Sequence, residues 1–524
     1  MQRWIGTLGI LVLAMSLLTI TPAQAETNEF RAVWIDAFGA GIYDEAEIDQ
    51  LIADVKAANM NAIVAQVGRR GDCFCNKAIM PRTQANIAPE PFDPLETLIE
   101  RAHAEGIEVH AWVIATAIWN SDTPPIAENH VFNTNGLSAD GDDNWLLVRS
   151  DGEVRGGLDY YLDPGHPDAA DYIVSMYTSI IENYDVDGIN MDRIRYPDFN
   201  LEPNVSAWGY NPVAVQRFHE ATDRTDVPEP SDAEWSQWRR DQITNIVRRV
   251  YLESYAIDPQ VKISADTITY GYGPETQGGW ENSRTYAEVL QDWRSWMEEG
   301  ILDINMPMNY KREHFVDEPN NQLRMYEEWN TFAKDHQFDR QAVIGSALYL
   351  NFIEGSVDQV RKALEPSDNG NSAVGWVGYS YRTPDVGTLT GERTGEEGRA
   401  ELIRALTEPS EYDDVVSPVF ADTASIPAMP WKDAPTQGHL RGIVQDRDGT
   451  AVDQMQVQIY ALPERELVDT RITDGSGWFG FVDLEPGRYL VRVAEKESAR
   501  GGTAFVQIEA GALASVELSA FQGR

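Results

Sequence analysis

The chain has 524 residues and a formal net charge of −42 at neutral pH. Its length predicts two domains rather than one. The charge disfavours a nucleic acid as partner, because phosphate binding needs a basic surface and no basic stripe occurs in the sequence. A salty habitat and an ordinary acidic exported protein explain the charge equally well.

The first 25 residues are typical of an export signal that is removed from the mature protein. Arg3 precedes an apolar run from Ile5 to Ile20, and residues 23–25 form a small-residue cleavage site. The run is short for a membrane span and no second one follows, so we expect no transmembrane segment in the mature chain. Removal of Arg3 would bring the net charge to −43. The expected destination is the periplasm or the medium.

Eight apolar, strand-like runs follow, and most are separated by helical patterns. The runs are 30–38, 60–67, 107–114, 186–198, 261–268, 301–310, 342–350 and 373–381. The helical patterns are 45–59, 93–105, 167–183, 234–257 and 397–407, and 115–160 is a long insertion. Eight such units predict an α/β fold, a (β/α)₈ TIM barrel over residues 26–410. No G-x-G-x-x-G turn follows the first run, which argues against a dinucleotide-binding sheet.

Beyond the predicted barrel the pattern changes. Residues 411–437 are rich in proline and have no period, so they are interpreted as a linker. Residues 438–524 alternate with period two between tight turns, which predicts a small antiparallel β-sandwich. Its segments GIVQDRDGTAV and TDGSGWFGFVDLEPGRYLVRV resemble carboxypeptidase regulatory-like, prealbumin-like domains. That resemblance implies a fold and says little about function.

Cofactors and metals have little support in the sequence. Cys73 and Cys75 are separated by one residue. A disulfide across that spacing would be strained and two thiols alone make a poor metal site, so we expect free thiols in a loop. Asp140, Asp142 and Asp143 could bind calcium, but a solvated acidic loop is the favoured alternative. No histidine pair with metal-ligand spacing and no Gly-x-Ser-x-Gly elbow occurs, so we predict no metal and no cofactor.

The stretch VDGINMDRIRYPD, residues 186–198, carries the clearest functional signal. Side chains alternate along a strand, so Asn190 and Asp192 share the inner face. Asp192 is the last inward residue and would lie at the carboxyl-end mouth, where barrel enzymes carry out their chemistry. Arg195 and Tyr196 follow and could hold a polar ligand against the carboxylate.

The same alternation on the other strands collects carboxylates, an imidazole, amides and aromatic rings on one rim. Glycoside hydrolysis needs this mixture: a carboxylic acid protonates the leaving oxygen, a carboxylate acts as nucleophile or base, and rings stack on sugars. We predict Asp192 as nucleophile or base and Asp266 as the acid. The predicted sugar-binding residues are Asp36, Arg69, His110, Trp112, Asn190, Arg195, Tyr196, Asn309, Tyr310 and Trp376.

Each of these residues also has a purely structural alternative. Asp192 could do no more than pair with Arg193 or Arg195. Turn capping is the alternative for Asp36 and Asp266. Interior packing or a hydrogen bond in the core is the alternative for His110, Trp112 and Trp376.

Three segments together resemble one family. FRAVWIDAF, VDGINMDRIRYPD and LDINMPMNY resemble the bacterial glycosyl hydrolase-like 10 family, over about residues 28–410. The resemblance implies a TIM-barrel glycosidase related to the α-amylase clan, and some members cut peptidoglycan glycan strands stripped of their peptides. In that clan the fourth strand ends with a catalytic aspartate, a position that Asp192 occupies.

Two positions depart from the pattern of the clan. The residue two before the catalytic aspartate is typically arginine in amylases and is Asn190 here. Strand 5 has no clear glutamate, and Asp266 is the nearest candidate for the acid. The expected function is therefore an exported glycoside hydrolase acting on a polysaccharide, cell-wall glycan being favoured. The alternatives are a non-catalytic glycan-binding barrel and a structural envelope protein.

Overall fold

The computed structural model describes residues 27–39, 41–412, 417–494 and 499–522. The predicted export segment and part of the predicted linker lie outside the described residues. Of the helices within these ranges, none is both long and apolar enough to cross a membrane.

Eight parallel strands close into a barrel, which confirms the predicted fold class. The strands follow chain order around the ring, and β1 pairs with both β2 and β8. They are β1 (Phe30–Ile35), β2 (Ala62–Gly68), β3 (Glu108–Ile114), β4 (Gly188–Asp192), β5 (Lys262–Ile268), β6 (Ile304–Met308), β7 (Gln341–Ala347) and β8 (Gly375–Tyr379). The predicted runs are mostly longer than these strands because they include residues of the adjoining loops.

Helices cover the outside of the barrel, and side-chain caps in the sequence mark where several of them begin. Asp93 accepts a hydrogen bond from the Glu96 amide, and Thr394 forms a capping box with Glu397. The longer helices are Glu45–Ala57, Pro94–Ala104, Pro167–Asn183, Pro212–Thr222, Ala233–Ile257, Trp293–Glu299, Gln322–Asp335, Ile353–Leu364 and Gly395–Thr407. Shorter helical turns are Val131–Asn135, Gly141–Asp143, Trp280–Asn282, Arg284–Ala287, Leu348–Leu350, Val386–Thr390 and Pro430–Asp433.

The barrel interior is packed and has a polar pair at its amino-terminal end. The interior cluster includes Phe30, Ala32, Trp34, Val64, Trp112, Met306, Val343 and Val377. Below it, at the start of the strands, Lys262 forms an ion pair with Glu108. Met429, from the segment after the barrel, packs on the same interior cluster. The opposite, carboxyl-terminal end therefore carries the open mouth.

The described part of the segment between the two domains lies along the barrel. Phe420 packs against the ring of Trp376, with ring centroids 6.0 Å apart. Ser425 forms a bridge with Asn28, and the indole of Trp431 donates to Asp303 at 2.6 Å. These contacts attach the segment to the barrel.

The C-terminal region forms two packed sheets around its own core. Its strands are β9 (Gly438–Gln445), β10 (Gln456–Ala461), β11 (Glu466–Ile472), β12 (Trp478–Leu484), β13 (Gly487–Val493), β14 (Ala499–Gly501), β15 (Thr503–Ile508) and β16 (Leu513–Gln522). The sheet orders are β12-β9-β16-β14 and β11-β10-β13-β15. Pairing is antiparallel apart from β9 with β16, the first and last strands of this region, which run parallel.

The second domain is attached to the helix Ala233–Ile257 and its neighbours by polar contacts. Trp478 donates from its indole to Glu253 at 2.8 Å, and Arg441 forms an ion pair with the same carboxylate. Arg217 makes a two-pronged contact with Asp453, at 2.6 and 2.9 Å. The two domains therefore share a broad charged interface.

Cys73 and Cys75 form a disulfide, so the prediction of free thiols is wrong. The loop after β2 folds tightly, because Cys73 makes bridges to both Gly68 and Arg82. The two Cα atoms lie 5.0 Å apart, within the usual range for a disulfide. Spacing along the sequence alone did not contain this information.

Candidate active site

Two carboxylates lie side by side at the mouth. Asp192 is the last residue of β4, and Asp266 lies in the second half of β5. The two strands are neighbours in the barrel, and their register places Asn190 opposite Ser264 and Met191 opposite Ala265. Continued by one residue, this register places Asp192 opposite Asp266. The alternation of β4 and β5 thus faces both side chains inward, as the sequence predicts.

Asp192 is surrounded by donors. Its Oδ1 accepts a hydrogen bond from the Arg193 amide at 2.6 Å, and its Oδ2 accepts one from the indole of Trp112 at 3.2 Å. The guanidinium of Arg195 lies 3.7 Å from Oδ1. Donors therefore contact both of its carboxylate oxygens. The arrangement suits a carboxylate that acts as nucleophile or base.

Asp266 has a different environment. Its side chain is 2% exposed, and the Asn190 amide donates to its Oδ1 at 3.0 Å. Burial raises the pKa of Asp266 well above its ordinary value, and the charge of Asp192 raises it further. Asn190 and Arg195 only partly offset these effects. The raised pKa favours the protonated form of Asp266, which is the form that a general acid needs.

Aromatic rings surround the pair of carboxylates. Tyr310 and Tyr379 stack with ring centroids 5.3 Å apart and planes 16° from parallel. Trp34, Trp112 and Tyr349 each contact Tyr379 edge to face. The three tyrosines are partly exposed, so they form apolar surfaces on which a sugar ring could stack.

Arginines and aspartates alternate around the rim. Asp159, from the insertion before β4, accepts from Arg70 at 2.8 Å and from Arg193 at 2.6 Å. Tyr161 contacts Arg193 at 3.2 Å. The short strands Ala117–Trp119, Arg155–Gly156 and Asp159–Tyr161 of this insertion form a small sheet. The insertion thus builds one side of the mouth.

Asp36 and Arg69 lie at the ends of the first two strands, next to each other. Asp36 is buried, accepts a hydrogen bond from the Phe38 amide and lies 3.5 Å from Arg382. Arg69 donates to the Ala37 carbonyl at 3.1 Å. Asp36 caps its own turn, the structural alternative considered for it, and also contributes charge at the edge of the mouth.

His110 and Trp376 do not reach the rim, which corrects two predictions. His110 faces inward at the lower end of the barrel, 3.2 Å from Glu108, and the lack of a side chain at Gly188 makes room for its ring. An added Cβ on Gly188 would lie 2.2 Å from His110 Nδ1. Trp376 faces the outer helices and donates to Ser346 at 2.9 Å. Its inward neighbours on β8 are Val377 and Tyr379.

Asn309 and Tyr196 follow strands at the correct end, but their side chains are used elsewhere. Asn309 is fully buried and donates to the Tyr326 carbonyl at 2.8 Å and to Asn330 at 2.9 Å. It therefore anchors the helix Gln322–Asp335. Tyr196 is fully buried beside Arg239, whose guanidinium carbon lies 6.0 Å from the tyrosine ring. Both side chains are buried away from the surface of the mouth, so their predicted contact with sugar has no support from their positions.

Four rim residues were missed by the sequence reasoning. They are Asp159, Tyr161, Tyr349 and Arg382. Asp159 and Tyr161 belong to the insertion, where no strand end of the barrel marks them. Tyr349 and Arg382 follow β7 and β8, so their position just beyond barrel strands was the available signal.

Within the described ranges, no three His, Cys, Asp or Glu side chains are grouped so that they could hold a metal ion.

This chain is similar in sequence to a protein family and to several named proteins. A model of the glycosyl hydrolase-like 10 family matches residues 29–335, more than half of the chain. Glycosyl hydrolase YngK of Bacillus subtilis (strain 168) is 24% identical over 478 residues, which cover 85% of this chain and 83% of YngK. Glycosyl hydrolase DigH of Escherichia coli (strain K12) is 23% identical over 290 residues, which cover 52% of this chain and 59% of DigH.

Solved structures are more distant in sequence. The PgaB (BpsB) glycoside hydrolase domain from Bordetella bronchiseptica aligns with a TM-score of 0.49 at 14% identity. The alignment covers 71% of this chain and 98% of that domain.

Proposed function

The chain belongs to the glycosyl hydrolase-like 10 family, and from that premise we propose that it is an exported glycosidase of cell-wall glycan. Family membership supports glycosidase activity. The finer proposal is that the substrate is the glycan strand of peptidoglycan after its peptides have been removed. This substrate follows from the family resemblance and fits the chemistry of the mouth.

The observation that carries the catalytic proposal is the unequal environment of two adjacent carboxyl groups. Pairs of titratable groups whose surroundings separate their pKa values provide acid and base in one site. Asp266, which is buried and has a raised pKa, is the general acid that protonates the leaving oxygen. Asp192, held by Trp112 and the Arg193 amide, is the nucleophile or the base.

The rim supports a sugar chain that carries acid groups. Tyr310 and Tyr379 present ring faces for stacking. Peptide-free peptidoglycan carries a free lactyl carboxylate on every second sugar. Arg69, Arg193 and Arg195 bring guanidinium groups to the mouth of a protein whose net charge is −42. Guanidinium groups bind carboxylates well, so these arginines would recognise such a glycan.

Product analysis on peptide-free peptidoglycan glycan tests the proposal. We expect the purified protein to shorten the glycan. Asp192→Asn and Asp266→Asn should each lower turnover by about 10²–10⁴-fold. Asp185→Asn, whose carboxylate is 93% exposed, is the matched control and should keep full activity.

Three outcomes would contradict all or part of the proposal. Full turnover by Asp192→Asn would reject the catalytic assignment. Binding of the glycan by the wild-type protein without any products would support a non-catalytic glycan-binding barrel. If the protein neither cuts nor binds this glycan, peptidoglycan is excluded as the substrate and other polysaccharides should be tested.

A further inference from the structure

The outer face of one C-terminal sheet carries a row of apolar side chains in register across four strands. Leu467 of β11 pairs with Tyr460 of β10, Tyr460 with Leu490 of β13, and Leu490 with Phe505 of β15. Neighbouring residues such as Val491 point into the core, so the row lies on the opposite face. Leu467 is 49% exposed and Phe505 is 64% exposed. We call these four residues the apolar row.

Polar side chains border the apolar row and orient its tyrosine. The Tyr460 hydroxyl donates to Gln458 at 2.8 Å, and Arg492 donates to the same oxygen at 2.9 Å. The guanidinium of Arg492 lies over the Tyr460 ring, 5.6 Å from its centroid. Arg488 borders the row on its other side, next to Gln507. The ring of Tyr460 is therefore held in place before any ligand binds.

The charge of this face is opposite to that of the chain. The whole sequence has 84 acidic and 42 basic residues. The outward positions of the described strands β10, β11, β13 and β15 carry two arginines, and no aspartate or glutamate occurs among them. These positions hold Gln456, Gln458, Tyr460, Leu467, Thr470, Ile472, Arg488, Leu490, Arg492, Thr503, Phe505 and Gln507. Such a face suits a ligand with apolar surfaces and negative charge.

We propose that this outer face binds the polysaccharide itself, as an extended glycan strand bearing carboxylates, and holds it near the catalytic barrel. The proposal rests on the function proposed above for the barrel. Tyr460 and Phe505 lie two strands apart, which is about 10 Å and close to the length of one disaccharide unit. Their rings would stack on alternate sugars, and Arg488 and Arg492, which flank the row on either side of Leu490, would pair with carboxylates at the two edges of the glycan.

A second copy of this chain fits the face poorly. Two such faces packed together would bring arginines against arginines, and each chain also carries a net charge of −42. Like charges oppose that association. A glycan with carboxylates offers complementary charge, and its flat sugar faces match a flat sheet.

The test separates binding of the polymer from cleavage of a short fragment. The variants are Tyr460→Ala with Phe505→Ala, and separately Arg488→Gln with Arg492→Gln. Phe338→Ala, which removes an aromatic ring 45% exposed elsewhere, is the matched control. Retention on insoluble peptide-free glycan is measured beside kcat/KM on a short soluble fragment of it. We expect each double variant to bind the polymer at least fivefold more weakly and to cut the fragment within twofold of wild type.

The salt dependence of retention adds a second readout. The arginine variants should lose most of their effect in high salt, because charge pairing is screened there. Unchanged retention in both double variants would overturn the inference, as would a change in the sedimenting mass with no change in glycan binding. Failure of the barrel's proposed function has a different signature: wild type would cut nothing, while retention would still depend on Tyr460 and Phe505.

Discussion

The side-chain amide of Asn190 donates a hydrogen bond to Oδ1 of Asp266 at 3.0 Å. Asn190 lies two residues before Asp192 on β4, so one strand supplies the first carboxylate and positions the second. The same amide also donates to the Ser264 hydroxyl at 3.1 Å. A hydrogen bond to the charged form of a carboxyl lowers its pKa. Asn190 therefore limits how far burial and Asp192 raise the pKa of Asp266.

Asn190→Ala should move the alkaline limb of the pH–rate profile to higher pH. The general acid works below its pKa, and loss of the Asn190 hydrogen bond raises that pKa further. A hydrogen bond to a charged group contributes about 1.5–3 kcal/mol, so a shift of about one pH unit is expected. We also expect kcat to fall about tenfold, because Asp266 loses its orienting partner. The measurement is kcat against pH on the glycan substrate.

Ser264→Ala is the matched control for this prediction, because it removes a neighbouring polar group that does not donate to Asp266. Its alkaline limb should stay within a few tenths of a pH unit of wild type. A limb that moves to lower pH in Asn190→Ala would mean that another group acts as the acid.

Asp266→Asn should stabilise the protein at neutral pH while it abolishes catalysis. The pKa of Asp266 is raised in the folded state, so the folded protein binds a proton that the unfolded chain releases above about pH 4. Wild type therefore loses stability as the pH rises from that value through the folded pKa. The amide has no proton to bind, so we expect its melting temperature at pH 8 to be higher by about 2–4 °C.

The same comparison at about pH 2.5 provides the control, because the carboxyl is then largely protonated in both states and the difference should vanish. A variant that melts lower than wild type at pH 8 would show that Asp266 is ionised and paired in the folded protein.

The inward, adjacent positions of Asp192 and Asp266 could be predicted from sequence because β4 and β5 alternate clearly between polar and apolar residues. Asn190 and Asp192 contrast with Ile189 and Met191, and the inward face follows from that contrast. Strand β8 lacks such contrast, since GWVGY has apolar residues at both sets of positions. The sequence therefore led us to place Trp376 on the inward face, whereas in the structure Tyr379 lies there.

Elsewhere, the contacts that a side chain makes could not be predicted from its position in the sequence. Asn309 follows its strand at the correct end, but its amide turns toward Asn330. Asp159 meets Arg193 from 34 positions earlier in the chain. Neither a strand period nor a turn signal specifies such a contact, because it depends on how the insertion folds back over the mouth.

The disulfide between Cys73 and Cys75 should make a small contribution to stability. In the chain-entropy model the gain depends on the length of the closed loop, and this loop spans only two peptide steps. We expect Cys73→Ala with Cys75→Ala to lower the free energy of unfolding by about 1–2 kcal/mol. Thermal unfolding of the variant beside wild type measures this.

Thiol alkylation in denaturant, read by mass spectrometry, checks the bond itself. Wild type should take up no label without reductant and two labels after reduction. Uptake of two labels without reductant would restore the prediction of free thiols.

Glu299 should matter more for stability than any exposed carboxylate of the same helix. It accepts from Arg248 of the barrel at 2.8 Å and lies 3.0 Å from Arg471 of the C-terminal sheet. Burial alone would raise the pKa of Glu299, but Arg248 and Arg471 outweigh it and hold the pKa below its ordinary value. A carboxyl with a lowered pKa stabilises the fold above its unfolded pKa, and this contribution is lost as the pH falls through the folded value.

Glu299→Gln should therefore lower the free energy of unfolding at pH 7 by about 3 kcal/mol, because it removes the carboxylate that pairs with Arg248 and one of the two carboxylates that contact Arg471. Glu298→Gln is the matched control: its carboxylate is 57% exposed and 4.0 Å from Arg294, and its loss should change stability by less than about 1 kcal/mol.

Denaturant unfolding at pH 7 and pH 3 measures both variants. The deficit of Glu299→Gln should shrink at pH 3, where wild type begins to lose the same charge. Equal effects of the two substitutions at pH 7 would show that the ion pairs of Glu299 do not hold the domains together.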